Sequence, residues 1–109
     1  MANAKRGEVE AVLDGKACTL CLTLGALAEL EAAFGAGDLM ALAERFAAQR
    51  LSARDLLRVI ACGLRGGGLA VSDEEVARMK VEGGISAYAR IAASLLAATF
   101  GVGDSANPP

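Results

Sequence analysis

The chain has 109 residues, and its 11 Lys and Arg against 13 Asp and Glu give a formal net charge of −2. That length suits one small domain, and the negative charge provides no global basic field to hold nucleic acid. The sequence contains no His and no Trp, which removes the commonest general base, a common metal ligand and the best stacking residue. We therefore predict a protein that is not an enzyme and that carries no metal or cofactor.

The N-terminal segment and the uncharged runs bear on the compartment. The charged N-terminus lacks the apolar stretch of a secretory signal, and the longest uncharged runs, 17–28 and 91–103, are shorter than the roughly 18 to 20 residues of a membrane span. We predict a cytoplasmic protein without membrane contact. Its three cysteines, an odd number, are predicted to be reduced and mostly buried.

A β-hairpin is the first element that the pattern predicts. Residues 8–13 and 16–22 flank Asp14 and Gly15, a pair favoured in type I′ turns because both positions need a positive φ. This turn pairs 13 with 16, 11 with 18 and 9 with 20. One face then holds the residues that we predict to be buried: Val9, Ala11, Leu13, Cys18, Leu20 and Leu22. Cys18 and Cys21 point to opposite faces, so small packed thiols explain their C-x-x-C spacing better than a zinc or redox site.

Five helices are predicted after the hairpin, because the apolar residues change from a period of 2 to about 3.6. The first four follow residues whose side chains can cap them: Thr23, Asp38, Ser52 and Ser72. The second is expected to stop near Arg50 or Leu51, and the fifth and longest to run over 85–100. The apolar stripes that would face the core begin at Leu24, Leu39, Leu56, Val76 and Ile85.

These elements define the predicted fold class. It is α+β and predominantly helical, with an N-terminal two-stranded antiparallel β-hairpin packed against about five α-helices in a single domain over residues 1–100. Residues 101–109 lack periodicity and are predicted to form a disordered tail. The glycine run 66–68 follows a helix and lacks the Gly-Lys-Ser/Thr of a P-loop, so we interpret it as helix termination and a flexible connector.

An arginine stripe is the most suggestive surface feature. The third helix and its approach place four arginines along one side: Arg50, Arg54, Arg58 and Arg65. Such a stripe can be an ordinary solvated face, a docking face for an acidic or helical protein partner, or a nucleic-acid site. Nucleic acid is the least favoured of the three, because no aromatic residue interleaves with the stripe to stack bases.

The predicted hairpin also has edges. A two-stranded hairpin is marginal in water by itself, so it must pack against helices, pair with another chain through an open edge, or do both. The strand over 16–22 has no regular set of guarding charges, and we predict strand addition or homo-oligomerisation along it.

The hairpin and four segments of the chain carry a resemblance to a known family: 6–9, 20–31, 52–55 and 72–76. In these parts the chain resembles the small tail protein encoded in bacterial gene transfer agents, which belongs with the phage tail assembly chaperones. The resemblance covers about residues 6–101 and is most specific over 20–31. It implies a non-enzymatic protein that accompanies the tape-measure protein and keeps it soluble while the tail tube polymerises around it.

The same family is sometimes described as tail-tube proteins, which supplies the alternative. Tail tubes are generally built from β-rich subunits, whereas this sequence predicts one hairpin and mostly helix. We therefore favour an assembly chaperone that binds the tape-measure or another tail protein, with a structural tail component of a gene transfer agent or prophage particle as the alternative. The arginine stripe, Arg50, Arg54, Arg58 and Arg65, is the predicted partner-binding site.

Overall fold

A computed structural model of the protein describes residues 6–47 and 51–101. Its elements follow in chain order: β1 (Glu8–Leu13), β2 (Lys16–Cys21), α1 (Leu24–Phe34), α2 (Leu39–Ala47), α3 (Ala53–Gly66), α4 (Asp73–Ala77) and α5 (Gly84–Phe100). This architecture confirms the predicted α+β class, with one antiparallel hairpin and five helices in the described part of the chain. No described helix is both long and apolar enough to span a bilayer. The predicted C-terminal tail falls, from residue 102 onward, outside the described residues.

The hairpin has the predicted register and turn. Leu13 pairs with Lys16, Ala11 with Cys18 and Val9 with Leu20, and Asp14 and Gly15 have φ values of 54° and 75°, as a type I′ turn requires. The predicted inner face is buried or half-buried throughout. The second strand ends at Cys21, one residue before the predicted boundary.

Side-chain caps begin the first four helices at the predicted residues. The hydroxyl of Thr23 accepts from the Ala26 amide, and the carboxylate of Asp38 accepts from the Ala41 amide. Both capping boxes that open α3 and α4 are formed in both directions. Because caps depend on neighbours three residues apart, the local sequence is sufficient to place these helix starts.

Helix α3 is the central element of the core. It packs against β2, α1, α4 and α5, and its residues from Val59 to Leu64 are all buried. The apolar stripe predicted for α3 from Leu56 onward is therefore only part of its buried surface. A helix that is covered on several sides acts as the scaffold on which the surrounding elements assemble.

Three apolar residues predicted to face the core are exposed instead. Leu24, Leu39 and Ile85 retain 78%, 40% and 63% of their accessible surface. Each lies in the first turn of its helix, before the described helix reaches the neighbours that cover its middle. In α1 the buried positions are Ala26, Leu27 and Leu30. Periodicity identified the correct helices, but it could not show where along each helix the core begins.

Glycines allow the C-terminal end of α3 to lie directly on the backbone of β2. A Cβ added to Gly66 would overlap the carbonyl oxygen of Cys21, and one added to Gly67 would overlap that of Thr19. One turn earlier, a Cβ on Gly63 would come within 2.6 Å of the Leu95 side chain on α5. The glycine run therefore does more than end the helix, because it sets how closely helix and hairpin approach.

Replacing Gly66 with Ala is expected to destabilise the protein by about 2 kcal/mol or more, since the added methyl group meets backbone that cannot move independently. The measurement is the free energy of unfolding from urea titrations followed by circular dichroism.

Gly25→Ala is the matched control. Gly25 also lies in a helix, but a Cβ there would touch only the Thr23 hydroxyl at 3.9 Å, so this change should raise stability by about 0.5–1 kcal/mol through helix propensity. Equal unfolding midpoints for Gly66→Ala and the unmodified protein would contradict the close-approach argument.

Candidate functional site

A groove of about 1110 Å³ opens between α3, α4 and the first turns of α5. It exists because α4 is only five residues long and buries a single side chain, Val76, so it covers α3 incompletely. Two contacts hold the segment after α4 in place. The hydroxyl of Tyr88 donates to the Met79 carbonyl at 2.6 Å. Lys80 exchanges two hydrogen bonds of 2.8 Å with Asp14 in the hairpin turn. The groove is thus bounded by anchored elements.

The lining of the groove is apolar along its floor. Its main apolar members are Leu57, Ile60, Val76, Met79, Ile85 and Tyr88. Ile60 and Val76 are buried, whereas Leu57, Met79 and Tyr88 are half-buried and Ile85 is exposed. Helical periodicity places Val76 and Ile85 on core-facing stripes and assigns none of the six residues to a site, because it does not distinguish a core position from the floor of a groove.

Three of the four predicted partner-binding arginines line this groove. Arg54 and Arg58 lie one turn apart on α3, and Arg65 follows two turns later on the same side. Arg50, the fourth member of the predicted stripe, lies outside the described residues. The structure therefore brings Arg54, Arg58 and Arg65 together at one surface, and their role in binding stays a prediction.

The arginines differ in what their guanidinium groups contact. Arg65 donates to the carboxylates of Glu29 and Asp73, each at 3.1 Å, and to the Val71 carbonyl at 3.0 Å. In contrast, Arg54 and Arg58 form no hydrogen bond or ion pair with any residue in the described ranges. Arg65 therefore ties α1 and the α3–α4 connection together, whereas the other two cations are available to a partner.

The electrostatics of this network follow from its hydrogen bonds. The Cys62 thiol and the Arg65 guanidinium both donate to Glu29 and hold the pKa of its carboxyl below the ordinary value of 4.5. Partial desolvation acts to lower the pKa of Arg65, but the hydrogen bonds to Glu29 and Asp73 outweigh it and raise that pKa. Both groups are consequently charged at neutral pH.

Cys62 belongs to the same network and is buried. Burial, followed by its hydrogen bond to Glu29 at 3.1 Å, raises the pKa of the thiol to about 12. A thiol that stays protonated is a poor nucleophile and a poor metal ligand. Cys18 and Cys21 are free thiols on opposite faces of β2, and the described residues contain no group of three or more potential ligands that could hold a metal ion.

The edge of β2, where strand addition was predicted, is covered. The two-residue turn makes Leu13 and Lys16 a hydrogen-bonded pair, so the backbone groups of Thr19 and Cys21 point away from β1. The Cys21 carbonyl oxygen lies against Gly66, the last residue of α3, and the Thr19 carbonyl oxygen lies against Gly67, which caps that helix. Pairing along 16–22 is therefore blocked at Thr19 and Cys21, because the end of a helix distant in sequence occupies that part of the edge.

The opposite edge of the hairpin, along β1, is different. Its outward backbone groups at Glu10 and Val12 are not hydrogen-bonded by any other described residue, and Val12 is 57% exposed. Homo-oligomerisation through a hairpin edge stays a prediction, and β1 is the edge that this structure leaves for it.

Sequence comparison adds what the geometry does not show. A model of the family described as "Phage tail tube protein, GTA-gp10" matches residues 6–102. The chain belongs to this family. No curated protein and no solved structure matches the chain. The protein is therefore a tail protein of the phage and gene-transfer-agent type, and such tail protein families are typically non-enzymatic.

The first prediction from this site concerns Cys62 of the tail protein. At about pH 8 its thiol should resist iodoacetamide in the folded protein and react after unfolding in urea, because almost none of it is thiolate when folded. Peptide mass spectrometry after timed labelling would show this, with Cys18 and Cys21 as internal comparisons. Rapid labelling of Cys62 in the folded protein would contradict the network.

The second prediction concerns acid stability. Folding lowers the pKa of the Glu29 carboxyl. The ionised carboxylate therefore stabilises the folded protein at a pH above its ordinary pKa, and this stabilisation is lost as the pH falls through its pKa in the folded state. Unfolding midpoints in urea at about pH 6 and about pH 3 should therefore differ more for the unmodified protein than for Glu29→Gln. The Glu31→Gln variant, which changes a neighbouring carboxyl with no contact to Arg65, is the control.

Proposed function

We propose that this protein is a structural component of a phage-like tail, assembled in the cytoplasm, where it works by binding other tail proteins. The observation that supports this most directly is the family match, which spans every described residue. The family description names a tail tube protein, and this favours the structural alternative over the assembly chaperone that the sequence analysis placed first.

A second candidate is an assembly chaperone for the tape-measure protein. Two observations favour it: the groove has an apolar floor beside the unpaired Arg54 and Arg58, and the described residues form only one two-stranded sheet. An apolar groove with a charged rim suits a protein that binds an amphipathic helix. Both candidates require a surface that binds another tail protein, and they differ in whether the chain stays in the finished particle.

The composition of purified particles distinguishes the two candidates. Quantitative mass spectrometry is expected to find the chain in many copies per particle, and antibody labelling in electron micrographs is expected to follow the tail. A chaperone would be absent from finished particles. Absence of the chain would therefore overturn the structural proposal.

Co-expression with the tape-measure protein tests the second candidate directly. A chaperone should form a soluble complex of defined mass with it, and omission of the chain should leave aggregated tape-measure protein. If the chain has no effect on tape-measure solubility and instead forms rings or tubes by itself, the chaperone candidate is excluded.

A further inference from the structure

We propose that the groove between α3 and α4 binds an acidic amphipathic helix of a partner protein, with the helix's carboxylates pairing with Arg54 and Arg58. This deepens the proposed function and rests on it only in taking the partner to be another tail protein. The inference depends on three observations: an incompletely covered apolar floor, two unpaired cations on one wall, and acidic groups on the other.

The floor of the groove retains apolar surface that the chain itself does not cover. Ile85 is 63% exposed, and it lines the groove beside Leu57, Met79 and Tyr88, which are half-buried. Contiguous apolar surface rimmed by polar groups is typical of an interaction site. Covering it removes apolar area from water, which favours a partner that presents apolar side chains.

The cations of the α3 wall set the charge of the partner on that side. Arg54 and Arg58 are spaced i and i+4 on one helix, so their side chains emerge about 6 Å apart. Acidic residues at the same spacing on a partner helix would lie opposite them, and guanidinium groups bind carboxylates in a two-point geometry. Neither arginine has an acidic partner in the described part of the chain.

The opposite wall argues against nucleic acid as the occupant. Asp73 and Glu74 of α4 line it; Asp73 pairs with Arg65, while Glu74 is exposed and contacts no described cation. A phosphate backbone in the groove would meet this carboxylate, whereas a helix can present a basic or neutral residue to it. Tyr88 is the single aromatic residue among the described residues that line the groove, so the floor offers mainly aliphatic contact and little surface for base stacking.

The test uses two synthetic helical peptides with the same leucine face. One carries Glu and the other Lys along one flank of this face, both carry neutral residues along the other flank, and each is titrated with the full chain by fluorescence anisotropy. The Glu peptide is expected to bind about tenfold more tightly than the Lys peptide, with an affinity that falls as salt is raised. Equal binding of the two peptides, or no binding of either, would overturn the proposal.

Variants identify the surface that binds. The double variant Arg54→Glu with Arg58→Glu should lower the affinity for the Glu peptide by about tenfold or more, and it should then bind the Lys peptide more tightly than the Glu peptide. Arg78→Glu changes an exposed cation outside the groove. Its affinity for the Glu peptide should stay within about twofold of that of the unmodified protein. An equal loss from Arg78→Glu would show a non-specific charge effect and overturn the proposal.

A third variant tests the floor independently of charge. Ile85→Ser should weaken the binding of both peptides. Because Ile85 is exposed, the change should leave the fold intact, which circular dichroism checks. Two further results would overturn the proposal. One is a single-stranded oligonucleotide that binds at Arg54 and Arg58 more tightly than the Glu peptide does. The other is a dimer seen in sedimentation that the double variant abolishes, since the occupant of the groove would then be a second copy of the chain. The presence of the chain in particles is measured separately, so failure here would leave the proposed function standing.

Discussion

The close approach of α3 to β2 is the contact on which the rest of the structure depends. Glycines at Gly66 and Gly67 allow the helix end to lie against the carbonyl groups of Cys21 and Thr19, where any side chain would overlap the backbone. This places α3 at the centre of the core, in contact with α1, α4 and α5 as well as the hairpin. It also closes one edge of the sheet, which is one of the ways proteins prevent unwanted strand pairing.

The second organising feature is the network around Arg65. This one guanidinium contacts Glu29 on α1, Asp73 at the start of α4 and the Val71 carbonyl between α3 and α4. It thereby fixes the α3–α4 connection and with it one wall of the groove. Because its donors are occupied, Arg65 differs from Arg54 and Arg58, although all three line the same surface. An arginine stripe that looks uniform in sequence thus divides into one structural cation and two available ones.

These features relate the fold to a role in a phage-type tail. Family membership establishes the class of the protein, and the groove is the described surface where apolar contact and unpaired charge coincide. Assembly of several proteins into one particle requires interfaces between them, and a helix in a groove combines apolar burial with charge complementarity. The open edge of β1 offers a second surface, of the kind used for strand pairing.

The sequence by itself determined what depends on near neighbours. The Asp14-Gly15 turn set the hairpin register, the Ser52 and Ser72 capping boxes set two helix starts, and the positions of Arg54 and Arg58 on one helix followed from their spacing. Only the tertiary structure decided which edge of the hairpin is closed, that Arg65 pairs with Glu29, and that Ile85 faces a groove. The physical reason is range: turns, caps and helical spacing act within a few residues, whereas these contacts join segments that lie far apart along the chain and meet only when the helices pack.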